Sequence, residues 1–276
     1  MDNIFEEYNI SHDDRHIFST SQEFRSFVQE SFTRWQNGGA QYIGVLEVTK
    51  EVMPQVDQSR DELPLLRLHH DTSFDRLVIK FVGCREEIAI KEFGIQFTEN
   101  YLAIGITRYD LFSIGAGRKQ SADGVRSKEP NDSFGPKNTR SSERDLPTLT
   151  IEVDHSESLS QLRNDAHFWL TRTDRKIRVV ILIHVQADNR ILHVEHWGLA
   201  QRDPSGTSTD ASPAKLQESD LGLSEGTISV NPSSASLDIA TELLFDSVPS
   251  IVTKETLTIG TDRLIAFARE YFGKTK

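Results

Sequence analysis

The stretch TLTIEVD, Thr148 to Asp154, alternates apolar and polar residues and reads as a β-strand. Leu149, Ile151 and Val153 fall on one face, and Thr148, Thr150, Glu152 and Asp154 fall on the other. Two carboxylates one residue apart on the same side repel each other. Burying them costs several kcal/mol unless a cation or hydrogen-bond donors compensate. A metal ion, a basic partner or solvent would each meet that cost.

Downstream of it, Ser158-x-x-Gln161 has the pattern of a capping box and opens a helix over Ser158–Thr171. Its core face is Leu159, Leu162, Ala166, Trp169 and Leu170. Ile177–Val185 is a continuous apolar run, as expected of a central strand covered on both faces. Arg190–Trp197 alternates and pairs with it as a hairpin through Ala187, Asp188 and Asn189.

Upstream, Asn131–Phe134 and Asp110–Ala116 read as short strands. Arg85–Ile104 has helical period through Ile90, Phe93, Phe97, Tyr101 and Ile104, with Glu87 at the start of the stripe. Asp75–Val82 and Gln41–Val48 are strand-like. Ser21–Gln36 is a helix capped by Ser21 and ended by Asn37-Gly38-Gly39. Residues 1–20 read as an acidic, loosely structured lead-in. Residues 201–226, rich in Ser, Thr, Asp, Gly and Pro, read as a flexible insert. A strand at Thr227–Val230, apolar matter at Leu237–Phe245 and a helix over Asp262–Phe272 follow.

This order predicts an α/β fold with a mixed central β-sheet flanked by helices. The expected organisation is an N-terminal extension over 1–74, a core over 75–200, a linker or insert over 201–226, and a C-terminal segment over 227–276 that packs on the core.

At 276 residues with 15 Phe, the chain can bury a proper core. Cys84 is the single cysteine, which excludes an intramolecular disulfide and a thiolate zinc site. The acidic start MDNIFEEYN lacks a signal-peptide pattern, and no apolar run approaches the ~18–20 residues of a membrane span. The expectation is an intracellular protein, cytoplasmic or nuclear, with no membrane partner. A homodimer is a further expectation.

Net charge is −11, which argues against nucleic-acid binding by the surface as a whole. The positive charge concentrates in residues 117–144 and 163–178, the region where a nucleic-acid partner would dock.

Several motifs carry no chemistry. His193 and His196 are three apart on a strand, so their rings point to opposite faces and cannot share an ion. His69-His70 has no acidic partner at ligand spacing. Gly115-Ala-Gly117 lacks the frame of a P-loop, and Ser156 and Ser158 lack the glycines of a nucleophile elbow. The acidic set Glu87, Asp132, Glu152 and Asp154 is different. Two adjacent strands and a helix end can bring carboxylates together, and oxygen-only clusters suit Mg²⁺ or Mn²⁺.

The segments SKEPNDSFGP, LPTLTIEVDHSESLSQLRNDAHFWL, IRVVILIHV and ILHVEHW, with REEIAIKEF upstream, resemble a group of fungal proteins assigned to the PD-(D/E)XK nuclease-like superfamily. The resemblance covers about residues 75–199. It implies a restriction-endonuclease-like core and Mg²⁺-dependent or Mn²⁺-dependent hydrolysis of nucleic-acid phosphodiesters. Asp132 matches the first half-motif with Asn131 inserted after Pro130, Glu152 matches the second, and Glu87 matches a helix glutamate of the metal site. Asp154 stands where the superfamily has a lysine that positions water and stabilises developing charge. Lys128 and Arg163 are the candidates to replace it.

Two functions are therefore expected from this pattern. The first is a metal-dependent nuclease holding its ion through Glu87, Asp132, Glu152 and Asp154. The alternative is a nuclease fold that has lost the chemistry and acts as a binding or regulatory module.

Overall fold

A computed structural model describes residues 4–155, 159–186, 188–200 and 211–275. The chain forms two compact units, Met1–Gly83 with Arg118–Glu129, and Cys84–Gly117 with Pro130–Lys276.

The first unit begins with α1 (Ile4–Glu7), β1 (Arg15–Ile17), α2 (Ser21–Gln36) and β2 (Tyr42–Leu46). It continues with α3 (Met53–Gln58), β3 (Leu66–Asp71) and β4 (Arg76–Phe81). The chain then enters the second unit through α4 (Cys84–Ala103) and β5 (Leu111–Ser113), and returns for β6 (Lys119–Gln120) and β7 (Arg126–Lys128). The sheet order is β1-β2-β4-β3-β7-β6.

Phe24 and Val28 of α2 share a core with Ile43, Val45, Leu68, Leu77, Ile79 and Phe81. The helix starts where expected, but Thr20 rather than Ser21 caps it, its Oγ1 accepting from Glu23 N at 3.2 Å. The strand β4, grouped with the 75–200 core by sequence, belongs to this first sheet. Strand β3 (LRLHHD) was not anticipated, because its polar residues hide the alternation. All six are buried, and Arg126 Nε donates to Asp71 Oδ2 at 2.9 Å.

The second unit continues with β8 (Asp132–Pro136), β9 (Leu149–Asp154), α5 (Ser160–Thr171) and β10 (Val179–Gln186). After these come β11 (Ile191–Ala200), β12 (Ser212–Ser224), β13 (Thr227–Asn231), β14 (Leu237–Ala240), β15 (Thr256–Ile259) and α6 (Thr261–Lys274). Seven strands form a sheet in the order β13-β12-β11-β10-β9-β8-β5. The β9–β10 pair is parallel and the others are antiparallel, so the sheet is mixed. A parallel pair needs a crossover, and α5 supplies it.

The register decides which side chains share a face. Ile151 pairs with Ile181 and Val153 with Ile183, on the face that Leu149 also joins. The helices α4 and α6 cover this apolar face; Phe97 meets Phe134 of β8 at 4.8 Å between ring centroids, and Phe93 meets Phe267 at 5.5 Å. The opposite face carries Thr150, Glu152 and Asp154, level with Val180, Leu182 and His184. There α5 packs Leu162, Ala166, Trp169 and Leu170 against Val180 and Leu182.

The segment 201–226 departs from expectation. Residues 201–210 lie outside the described residues, but Ser212–Ser224 is the longest strand and pairs along β11. It reads as loop in the sequence because only Ser219 and Leu221 of it are buried. The expected Ser158 cap also lies outside the described residues. Among the described residues no helix is long and apolar enough to cross a membrane.

Candidate functional site

Glu152 is 1 % exposed, in the middle of β9. The indole Nε1 of Trp169 donates to its Oε1 at 2.6 Å. Trp169 comes from α5, ten residues beyond Leu159, and the helix is aimed by its own apolar face onto β10. An indole N–H is a neutral donor, so this contact satisfies one carboxylate oxygen without bringing in a positive charge. Asp154 is fully buried on the same face, beside His184 in the ladder.

Asp132 takes the other side. It pairs with Ile151, not with Glu152, and residues paired across a ladder point to the same face. The α4 side confirms the direction, since a Cβ placed on Gly94 would lie 3.7 Å from Asp132 Oδ2. Asp132 Oδ1 accepts from Ser113 Oγ at 2.9 Å and from Ser133 N at 2.8 Å. It lines an open cleft of about 420 Å³ with Lys91, Gly94, Ser113 and Phe134.

Glu87 shares the Asp132 side through α4, but it stands seven residues before Gly94, about 10 Å along the helix axis at 1.5 Å per residue. The three carboxylates expected on one ion are thus divided. One lies under α5, one beside Gly94, and one two turns up α4. The pattern of acids does not fit a single Mg²⁺ held by Glu87, Asp132 and Glu152, because a one-residue offset in strand register reverses the face.

Arg163, expected to support a phosphate, is engaged elsewhere. Its Nη2 and Nε donate to Glu195 at 2.6 and 3.3 Å. Glu195 lies on β11, level with Leu182 and so on the α5 face, and its side chain is fully buried. Trp197 Nε1 also donates to it at 2.7 Å, and His193 Nε2 lies 3.1 Å away. Burial alone would raise this carboxyl's pKa, but the donors from His193, Arg163 and Trp197 hold it well below the usual range. Lys128 belongs to β7 in the first unit, 3 % exposed, with its Nζ 5.8 Å from the centre of the Tyr8 ring.

The HVEHW alternation puts His193, Glu195 and Trp197 on one face, a signal that is present in the sequence itself. His196 does take the other face, where Gln217 Oε1 meets its Nδ1 at 3.1 Å. His193, Glu195 and Glu218 present ligand atoms all within 4.8 Å of one another, the one such group of His, Cys, Asp and Glu among the described residues.

A second cleft, about 370 Å³, opens at the N-terminal ends of β9 and β10. It is lined by Arg140, Arg175, Lys176 and Arg178 against Asp145 and Asp246. Arg140 is 8 % exposed and spends its donors on structure. Nε and Nη2 reach Asp246 at 2.8 and 2.6 Å, and Nη1 reaches the carbonyls of Leu146, Pro147 and Lys176 at 2.8, 2.8 and 2.9 Å. Arg178 also bonds Asp246. Hydrogen bonds from Arg140, with charge from both arginines, keep the Asp246 carboxyl well below the usual range. Arg175 and Lys176 are exposed on the α5–β10 turn.

No family model matches the chain, and no curated protein matches it. Among solved structures it is similar to a "putative nuclease belonging to DUF820" from Anabaena variabilis ATCC 29413. The identity is 12 %, with a TM-score of 0.40 over 73 % of this chain and 90 % of that one. A likeness of that size transfers neither a residue nor an activity to this chain.

Proposed function

We propose that the chain is a nucleic-acid-binding module that does not cut its ligand. The observation that carries this reading is the β8–β9 register, which sets Asp132 level with Ile151 and away from Glu152. Hydrolysis through one ion needs both carboxylates on the same side, and it needs a cation near the attacked phosphate. Asp154 occupies the lysine position of the PD-(D/E)XK pattern, and Arg163 is held by Glu195. Binding has its own support. The cleft at Arg140, Arg175, Lys176 and Arg178 carries two more positive than negative side chains on a chain of net charge −11. Its arginine–aspartate framework is braced by backbone carbonyls, which holds the turn bearing Arg175 and Lys176 in place.

The test uses the full chain with plasmid DNA, single-stranded DNA and single-stranded RNA, in Mn²⁺ or in EDTA. The expected outcome is no cleavage in either buffer and salt-dependent binding in EDTA. Replacing Arg175 and Lys176 together by alanine should weaken binding and flatten its log–log salt slope by about 2, near 0.9 per phosphate contact on duplex DNA. Mn²⁺-dependent cutting that Asp132→Ala abolishes would refute the reading.

A further inference from the structure

The cluster around His193 has a geometry that the proposed binding role does not use. His193 Nδ1 lies 2.6 Å from Asp220 Oδ1. A proton shared there leaves Nε2 facing Glu195 Oε1 at 3.1 Å and Glu218 Oε2 at 3.8 Å. A neutral imidazole in that tautomer would set its lone pair against two carboxylates. The position therefore demands a cation, either a second proton on the ring or an ion between ring and carboxylates. Zinc ligands about 2.05 Å from a tetrahedral centre are about 3.3 Å apart, between the two distances found here.

The surroundings match what an imidazole-bound ion uses. A carboxylate on the far ring nitrogen fixes the tautomer and raises ligand basicity, the role Asp220 fills. Glu195 is oriented by Trp197 Nε1 and Arg163. Lys215 Nζ pairs with Glu218 and lies 3.6 Å from Glu195 Oε1, so an ammonium already bridges these two carboxylates. Its side chain is 32 % exposed and free to swing into solvent.

The neighbouring strand β10 brings a second imidazole to the same face. His184 is paired with His193 across the ladder and shares its face. It is 4 % exposed, and its Nδ1 has no hydrogen-bond partner among the described residues. A buried imidazole nitrogen without a partner is uncommon, and this one stands one ladder pair from His193, although its nitrogens lie outside the group of ligand atoms within 4.8 Å.

We propose that His193, Glu195 and Glu218 form a transition-metal site for Zn²⁺ or an ion of like preference, with Asp220 orienting the imidazole and Lys215 the ammonium that the ion displaces. Mixed imidazole and carboxylate donors favour such an ion over Mg²⁺. The site stands apart from the question of cleavage, since it uses none of Glu87, Asp132 or Glu152.

The full chain, stripped with chelator, would be titrated with Co²⁺ while its visible d–d absorption is followed, and with Zn²⁺ by calorimetry. One ion per chain is expected. Glu218 and Asp220 have side chains 49 % and 45 % exposed, so variants there keep the fold, as circular dichroism would verify. Asp220→Asn and Glu218→Gln should each weaken binding about 10- to 100-fold. Lys215→Met should tighten it about 5-fold, the size of one exposed ion pair. That gain is the outcome a purely structural ion-pair network would not produce. No Co²⁺ uptake, uptake unchanged by Glu218→Gln and Asp220→Asn, or a Lys215→Met protein that binds no tighter would each overturn the proposal.

Discussion

Arg140→Met tests whether the basic cleft is braced as described. The substitution keeps a long apolar stem and removes every donor. Three backbone carbonyls, of Leu146, Pro147 and Lys176, lose their Nη1 partner. A buried acceptor left short costs about 1–3 kcal/mol, and water entering the cleft brings the three together to about 2 kcal/mol. Breaking a buried ion pair costs about 3–5 kcal/mol. Asp246 keeps Arg178 and has a side chain 34 % exposed, which reduces this part to about 1 kcal/mol.

The sum, about 3 kcal/mol, corresponds to a melting shift of about 6–12 °C at about 2–4 °C per kcal/mol. Tryptophan fluorescence suits the assay, because Trp169 and Trp197 both lie in the second unit. The pH dependence has a definite sign. The Asp246 carboxyl is depressed in the folded chain, mainly by its hydrogen bonds from Arg140. Its contribution is complete above the unfolded value of about 3.9 and is lost as pH falls through the folded one. The gap between wild type and variant should stay constant from pH 8 to 5 and narrow below about pH 4. A loss under about 1 kcal/mol at pH 7 would refute the brace.

Two further outcomes follow from buried polar groups. Trp169→Phe removes the 2.6 Å donor to Glu152 and should cost about 1–3 kcal/mol in urea unfolding, part of it recovered by adding Glu152→Gln. A double variant no more stable than Trp169→Phe alone would show that the indole N–H does not support the carboxylate. His196 is held below its ordinary pKa by burial. The unfolded chain therefore takes up its proton first, so stability falls as pH drops through the unfolded value of about 6.5. His69, His70, His155 and His184 are held low by burial in the same way. His196→Gln should therefore lessen, not abolish, the fall in melting temperature between pH 7 and pH 5, and an unchanged profile would show that His196 contributes none of it.

Much of the second unit could be read from periodicity. The runs around Phe93 and Phe97, around Ile151 and around Ile181 are long, apolar and bounded by breakers, and each forms the element expected of it. Strands β3 and β12 escaped because their cores are satisfied by polar groups or exposed on one side, which erases the two-residue alternation. The candidate site was legible by residue type but not by direction. Asp132 and Glu152 have the right chemistry and chain spacing, yet which residue of β9 stands opposite Asp132 is set by the pairing of two strands, which no single segment encodes. In the sequence Trp169 reads as a core residue and Arg163 as a candidate to replace the missing lysine. Their roles follow from the way α5 lies across β9 and β11.

The most direct test of this account is a crystal structure of the full chain grown or soaked in Mn²⁺, with anomalous differences collected to locate the ion. The account predicts no anomalous peak shared by Asp132 and Glu152, because the sheet lies between their side chains. A single peak about 2.1 Å from carboxylate oxygens of both would contradict it and restore a hydrolytic centre.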